Sequence, residues 1–173
     1  ILSELRDSES RFRATFNQAL IGIGHVGLDR RFRRVNQRLC EMLGYSQSEM
    51  VGRLCTEVSH PDHVCSMVEM LGSLVEGEGP ASFQATRRYL RKDGGVIWGL
   101  ASVTLIRDAD GQPDYFLAMI QDITELKRVE QTKNEFVSAV SHELRTPLTS
   151  IRGSLGLLTG GVAGPLPVAA RRL

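Results

Sequence analysis

The feature that most constrains the fold of this chain is a run of apolar residues spaced three or four positions apart near its C-terminal end. The members of this run are Val137, Val140, Leu144, Leu148, Ile151, Leu155 and Leu158. Because residues at this spacing share one face of an α-helix, the run predicts a helix with a continuous apolar stripe. A stripe of this length needs a partner surface, so we expect a dimeric helical bundle.

A proline falls inside this predicted helix, just over one turn beyond a histidine. Two consecutive four-residue steps around Leu144 form a stutter, which locally unwinds a heptad pattern. Pro147 lacks the N–H that would bond the carbonyl of Glu143, so we expect the helix to loosen or bend there. His142 lies about 200° around the helix from Leu144 and therefore faces away from the apolar stripe.

The side chains around His142 suit chemistry on a phosphoryl group. A neutral imidazole offers a nucleophilic nitrogen near neutral pH, and the Glu143 carboxylate is placed to orient the ring or to stabilise its developing charge. Arg145 and Thr146 share the helix face of His142, where a guanidinium balances phosphoryl charge and a hydroxyl holds a water. A zinc-protease helix also begins His-Glu, but it needs a second histidine where this chain has Thr146. An ordinary surface histidine is the remaining alternative.

These residues carry a family resemblance. The segment from Lys133 to Val137, followed by Ser141 to Leu148, resembles the H-box of sensor histidine kinases on their dimerisation and phosphoacceptor helix. The resemblance implies that His142 accepts the γ-phosphoryl group of ATP and passes it to an aspartate of a response regulator receiver domain. It also implies that Glu143 assists phosphotransfer and that Thr146 positions water for the reverse phosphatase reaction. The chain would form a homodimer through this bundle helix.

The sequence has no nucleotide-binding motif of its own. It contains no Gly-Lys-Ser/Thr stretch, and nothing in it resembles the Asn-rich and Gly-rich boxes of the family's ATP-binding domain. We therefore expect ATP and Mg²⁺ to bind an ATP-binding domain elsewhere in the same protein. The chain alone is then a phosphoacceptor, inactive without that domain, although its parent is a protein-histidine kinase.

Composition points to a cytoplasmic portion of a larger protein. A net charge of +1 over 173 residues gives no electrostatic case for nucleic-acid binding. No apolar run approaches the roughly 18 residues that span a bilayer, and no signal peptide is present. Three cysteines without Cys-x-x-Cys spacing suit a reducing compartment. Because the chain begins at Ile1, we expect an excised piece of a parent that is soluble or anchored in a membrane upstream.

The first two thirds of the chain predict an α+β domain. Alternating apolar residues and turn residues predict a hairpin over 21–35 and a three-stranded meander over 83–121. Capping and breaker residues delimit short helices over 36–43, 46–52 and 61–77. This order indicates a five-stranded antiparallel sheet with the short helices on one face. An N-terminal helix precedes the sheet and the long bundle helix follows it.

The same segment resembles a sensor PAS domain, over about residues 8 to 127. The residues that carry this resemblance are the segment from Asn36 through Leu43-Gly44-Tyr45-Ser46, His60-Pro61-Asp62, Arg91-Lys92-Asp93-Gly94 with Trp98, and Asp122-Ile123-Thr124. We accordingly divide the chain into an N-terminal connector helix (1–17), a PAS sensor domain with its C-terminal strands (18–124), a connector with the first phosphoacceptor helix (125–159), and an interhelical loop with the truncated start of a second helix (160–173).

Asp122, Ile123 and Thr124 are the expected joint between sensor and transmitter. A carboxylate or hydroxyl here caps the helix that begins at Glu125, a contribution of about 1 kcal/mol. We hypothesise that ligand or partner binding in the PAS cup shifts the last strand and changes access of the ATP-binding domain to His142. Full switching requires about 5.5 kcal/mol of differential affinity.

The sequence leaves the sensed signal open. His60 and His63 flank a helix start and are weak candidates for a haem or metal ligand, although capping and solvated histidines explain them better. We expect no metal site, and no cysteine stands in the setting that flavin-adduct photosensors use. The alternatives are a haem- or flavin-based input, an empty or small-ligand cup, and a non-catalytic PAS binding or dimerisation module whose helix is only structural.

Overall fold

The computed structural model describes residues 2–77 and 79–159, which fall into two compact units. The first unit reaches to Lys127 and the second begins at Arg128. The helices are α1 (Leu2–Gln18), α2 (Gln37–Leu43), α3 (Gln47–Met50), α4 (Pro61–Glu76) and α5 (Thr124–Thr159). The strands are β1 (Gly22–Gly27), β2 (Phe32–Val35), β3 (Ser82–Leu90), β4 (Val96–Arg107) and β5 (Pro113–Asp122).

The strands form one antiparallel sheet in the order β2-β1-β5-β4-β3, which confirms the predicted five-stranded sheet. Strands β3, β4 and β5 are neighbours, as expected for a meander, and β1 pairs with β5. In that pair His25 lies opposite Leu117. Strand β5 thereby joins the hairpin to the meander, and it ends at Asp122, directly before α5.

The short helices α2 and α3 begin at the capping residues that the sequence predicts, and α2 also ends where predicted. Asn36 caps α2 by accepting a hydrogen bond from the backbone N–H of Leu39, and Gly44 ends the helix in the left-handed region with a φ of 78°. At α3, Ser46 and Glu49 form both hydrogen bonds of a capping box. The predicted start and end of α2 and the predicted start of α3 are confirmed, whereas α3 ends at Met50, two residues before the predicted end at Gly52.

Helix α4 buries a narrower stripe than the sequence predicts. Pro61 stands in its first turn, and Gly77 closes it with a φ of 74°. Met67, Leu71 and Leu74 are buried. The expected face also included Val64, Val68 and Val75, but Val64 and Val68 are only partly covered and Val75 is exposed. Val68 and Val75 each lie about 100° around the helix from the buried residue that precedes them.

The core lies between the helices and the inner face of the sheet. The largest of its fully buried side chains are Phe116, Leu39, Leu43, Met50, Val35, Val58 and Asn36. The one amide in this set is satisfied, because Asn36 Oδ1 accepts from the N–H groups of Ile23 and Leu39 while Nδ2 donates to the carbonyls of Phe16 and Ile21. A single buried side chain thus fastens α1, β1 and α2 together.

The second unit is described up to residue 159, as the greater part of α5. This helix does not end at Pro147 and remains helical on both sides of it. The apolar stripe is exposed, with Leu144 57% and Leu148 59% accessible. The predicted interhelical loop and second-helix start (160–173) lie outside the described residues. Within the described part of the chain, no helix combines the length and the apolarity that a membrane span requires.

Candidate functional site

His142 stands on the exposed surface of α5. Arg145 and Thr146, three and four residues further on, share its helix face, while Glu143 is about 100° around the helix. The Thr146 hydroxyl donates to the backbone carbonyl of His142 across 3.4 Å. All four side chains are exposed, so a phosphoryl donor approaching the imidazole would meet no covering residue within the described part of the unit.

The apolar stripe occupies the other side of the same helix. Its exposed members are Val137, Val140, Leu144, Leu148, Ile151 and Leu155. The side chain of Leu158, the last residue of the predicted stripe, is outside the described atoms. The exposed apolar face and the polar face that bears His142 therefore lie on different sides of α5.

The junction between β5 and α5 is held by a compact set of hydrogen bonds. The Asp122 carboxylate accepts from the Thr124 backbone N–H at 2.9 Å and from its hydroxyl at 2.6 Å. The Thr124 hydroxyl oxygen in turn accepts from the backbone N–H of Trp98 at 3.0 Å. Ile123 N–H donates to the Trp98 carbonyl at 2.8 Å. The helix therefore begins at Thr124, one residue before Glu125, and its first turn is bonded to the backbone of β4.

The Trp98 ring extends this junction towards α4. Arg88 places its guanidinium carbon 5.6 Å from the ring centroid, and the Lys127 ammonium lies 5.9 Å from it. Arg88 also pairs with the carboxylate of Asp62 in the first turn of α4. Contacts thus run without a gap from the start of α4, through β3 and β4, to the first turn of α5. Sequence patterns offered no signal for this connection, because it depends on the pairing of β3 with β4.

The two weak ligand candidates lie at the start of α4. His60 caps the helix, with Nδ1 accepting from the N–H of Asp62 at 3.3 Å. His63 accepts a 3.5 Å contact from Arg88 Nε through Nε2. Burial and the cationic Arg88 and Arg87 lower the pKa of His63, which favours the neutral ring as acceptor. Among the described residues no group of three metal-ligating side chains is present.

The cup between sheet and helices encloses a cavity of about 50 Å³. Its lining is mostly apolar and includes Val26, Phe116 and Ile120, with Ser59 and Tyr89 as the hydroxyl-bearing members. Neither His60 nor His63 lines it. Sites for larger ligands measure about 300–1,000 Å³, so this cavity does not fit a haem or a flavin.

Two family matches follow each other along the chain. Residues 32–120 match the PAS fold, and residues 132–173 match the His Kinase A (phospho-acceptor) domain. The chain therefore belongs to the PAS fold family, and the residues matched by the His Kinase A (phospho-acceptor) domain include His142. This order agrees with the fold resemblance and the H-box resemblance of the sequence.

The relatives are much longer proteins. The probable diguanylate cyclase DgcE of Escherichia coli (strain K12) is 34% identical over 137 residues, covering 79% of this chain and 12% of that protein. The sensor histidine kinase TmoS of Ectopseudomonas mendocina is 27% identical over 163 residues, covering 85% and 17%. The sensor protein kinase WalK of Staphylococcus haemolyticus (strain JCSC1435) is 33% identical over 141 residues, covering 80% and 22%. The chain thus spans at most about a fifth of each.

Among solved structures, the PAS domain of an HTR-like protein from Haloarcula marismortui is similar to this chain. It is 26% identical with a TM-score of 0.60, and the match covers 70% of this chain and 96% of that one. A PAS domain from Colwellia psychrerythraea has a TM-score of 0.62 at 21% identity, covering 67% and 97%. The five-stranded sheet with its short helices is therefore a complete PAS fold.

Proposed function

We propose that this chain is the sensor and phosphoacceptor part of a two-component histidine kinase, with residues 18–124 as sensor and 125–159 as transmitter. The observation that carries the proposal is an exposed His142 inside a segment that matches the His Kinase A (phospho-acceptor) domain. Relatives named as sensor kinases support it. The match to a diguanylate cyclase supports only the PAS part, because that relative has a different output.

In the proposed reaction, a ring nitrogen of His142 attacks the γ-phosphorus of ATP, the bond to the β–γ bridging oxygen breaks, and ADP leaves. ATP and Mg²⁺ are held by the ATP-binding domain of the same protein. Glu143 stabilises the positive charge that develops on the ring, and Arg145 balances the phosphoryl charge. The phosphoryl group then passes to an aspartate of a response regulator receiver domain.

Thr146 has the opposing role in this proposal. Its hydroxyl lies one turn beyond His142 on the same face, where it can hold a water for the phosphatase reaction. Pro147 removes one backbone hydrogen bond of the helix next to this group, and we propose that the resulting softness lets the helix bend during signalling. Because ATP and receiver domains are cytoplasmic, we also propose a cytoplasmic location for this portion.

Signal coupling is proposed to run through Asp122, Ile123 and Thr124. Two hydrogen bonds tie the start of α5 to β4. The Trp98 N–H donates to the Thr124 hydroxyl, and the Ile123 N–H donates to the Trp98 carbonyl. A change in the sheet would therefore act on the helix through its first turn rather than through a loose linker. Inserting a flexible segment after Lys127 would break this route while leaving both units folded.

Labelling of His142 tests the proposed function. The chain is incubated with radiolabelled ATP and an added ATP-binding domain of the histidine kinase family. We expect acid-labile label on the wild-type chain, none on His142→Gln, and unchanged label on His63→Gln, a histidine in the other unit. Undiminished label on His142→Gln would assign the phosphoryl group elsewhere, and no label on any variant would favour a non-catalytic dimerisation module.

A further inference from the structure

His63, in the first turn of α4, is held by two arginines that follow each other on β3. Arg87 is only 4% exposed, and its Nη1 donates to the backbone carbonyl of His63 at 2.9 Å. Arg88 points to the other face of the strand, and its Nε donates to His63 Nε2 at 3.5 Å. The backbone of His63 is therefore anchored by one guanidinium while its ring lies against the other.

The contact between Arg88 and the His63 ring requires a neutral imidazole. A guanidinium has only donors and keeps its charge, so Nε2 accepts from it only while the single ring proton is on Nδ1. A second proton on the ring would set N–H against N–H and bring two positive charges together. Because Arg87 fixes the backbone of His63, the resulting displacement falls on the two side chains in this contact.

The charged groups that face the His63 ring come from the start of α4 and from β3. Burial lowers the pKa of His63, and the charges of Arg88 and Arg87 act in the same direction. On the helix, the Asp62 carboxylate opposes this decrease and His60 adds to it, with the two histidine ring centroids 6.2 Å apart. The Asp62 carboxylate is also paired with Arg88, so the imidazolium of His63 would have to share it.

Arg88 connects this contact to the start of α5. It is the cross-strand partner of Trp98 on β4, and its guanidinium carbon lies 5.6 Å from the centroid of the indole ring. The backbone N–H of Trp98 donates to the Thr124 hydroxyl at 3.0 Å, and the Lys127 ammonium lies 5.9 Å from the same ring. A displacement of Arg88 therefore changes the contacts of the residue to which the first turn of α5 is bonded.

We propose that His63 is a proton-sensing residue whose protonation displaces Arg88 from its ring and from Trp98 and so alters the packing at the first turn of α5. With the ring neutral, Arg88 stays in place and the junction keeps the geometry described above. On acidification, the imidazolium repels Arg88 and competes with it for the Asp62 carboxylate. Protons are then a signal for the sensor role proposed above, and the proposal rests on that role.

The fluorescence of Trp98 tests this proposal, because the chain has one tryptophan. Emission of the purified chain is recorded from about pH 7.5 down to about pH 5, with circular dichroism at each pH to monitor the fold. We expect the emission to follow a one-proton titration with a midpoint below the ordinary histidine value of 6.5, at constant circular dichroism. Emission that does not titrate, or that changes only as the circular dichroism is lost, would overturn the proposal.

Substitutions at His63 assign the titration. His63→Gln keeps an acceptor for Arg88 but cannot be protonated, so its emission should stay at the neutral-pH value throughout. His63→Arg carries a permanent charge and should show the low-pH emission already at neutral pH. His60→Asn, which keeps a capping side chain at the same helix start, is the matched control and should titrate like the wild type. A titration that persists in His63→Gln, or that is lost only in His60→Asn, rejects His63 as the sensing group.

The backbone amide signals of Trp98 and Thr124 in NMR spectra report whether protonation reaches α5. In the wild type both should shift with the midpoint seen by fluorescence, and in His63→Gln both should stay fixed. If the emission titrates while both amide signals stay fixed, the proposed coupling to α5 is rejected. None of these measurements involves phosphorylation, so a negative result here leaves the labelling of His142 as a separate test of the proposed function.

Discussion

At the scale of single residues, the histidines of this chain occupy contrasting surroundings. His142 is exposed on a helix, which suits the phosphoacceptor role proposed for it. His25 is instead stacked on Tyr115, with ring centroids 4.7 Å apart, and meets Phe16 edge-on at 5.5 Å. Burial and the neighbouring Arg34 lower the pKa of His25, as burial and Arg88 lower that of His63. Both shifts favour the neutral ring in the folded chain.

These lowered pKa values predict that the chain loses stability as the pH falls from 7.5 to 5.5. The unfolded chain protonates His25 and His63 near their ordinary pKa of about 6.5, in the middle of this pH window. The folded chain binds fewer protons there because both pKa values are lowered. The free energy of unfolding therefore rises with pH. We expect the midpoint of urea unfolding to be lower at pH 5.5 than at pH 7.5. His25→Phe preserves the aromatic stack and should reduce the difference between the two midpoints. An identical difference in wild type and variant would exclude His25 as a source.

At the scale of secondary-structure elements, the predictable features are those encoded locally. Asn36 caps the start of α2, Gly44 caps its end, and the Ser46–Glu49 capping box starts α3, because each boundary depends on a few adjacent residues. The buried stripe of α4 was predicted too wide, since hydrophobicity alone does not say how closely the sheet approaches it. The junction of Thr124 with Trp98 was not predictable from local pattern, because 26 residues separate its two partners.

The contribution of the Thr124 hydrogen bonds to the stability of this junction can be tested by substitution. Thr124→Val keeps the shape of the side chain but leaves the part-buried N–H of Trp98 without its acceptor, and it removes the hydroxyl that donates to Asp122. We expect a loss of about 1–3 kcal/mol in the free energy of unfolding. Denaturant titration of the wild type, Thr124→Val and Thr124→Ser measures it, with the serine variant expected to recover most of the loss.

Thr132→Val is the matched control for this joint. The Thr132 hydroxyl donates to the carbonyl of Arg128 on an exposed part of α5, and water can replace it. This variant should therefore change stability by less than about 0.5 kcal/mol. If the two valine substitutions lowered the free energy of unfolding equally, the hydrogen bond from Trp98 would contribute no more stability than that of an ordinary surface threonine.

At the scale of the whole molecule, the two units differ in how they bury apolar surface. The PAS unit closes its own core around Phe116 and Leu39, whereas the described part of the second unit leaves its apolar stripe exposed. The motif around His142 was predictable because it depends on the spacing of residues along one helix. The α+β plan was predictable because it depends on the order of helices and strands along the chain. The buried Arg87 was not, since only the packing of α4 on β3 makes it a core residue.

The exposed stripe predicts that this chain dimerises through α5 and that one charge prevents it. Leu144→Asp places a carboxylate in the centre of the apolar seam, with a free-energy cost on the order of several kcal/mol per buried unpaired charge. Thr149→Asp adds the same charge on the His142 face and should leave the dimer intact. Sedimentation at micromolar concentration distinguishes the two, with Leu144→Asp expected as a monomer. A Leu144→Asp chain that still sedimented as a dimer would assign the interface to the PAS unit, and α5 would then need another partner for its apolar face.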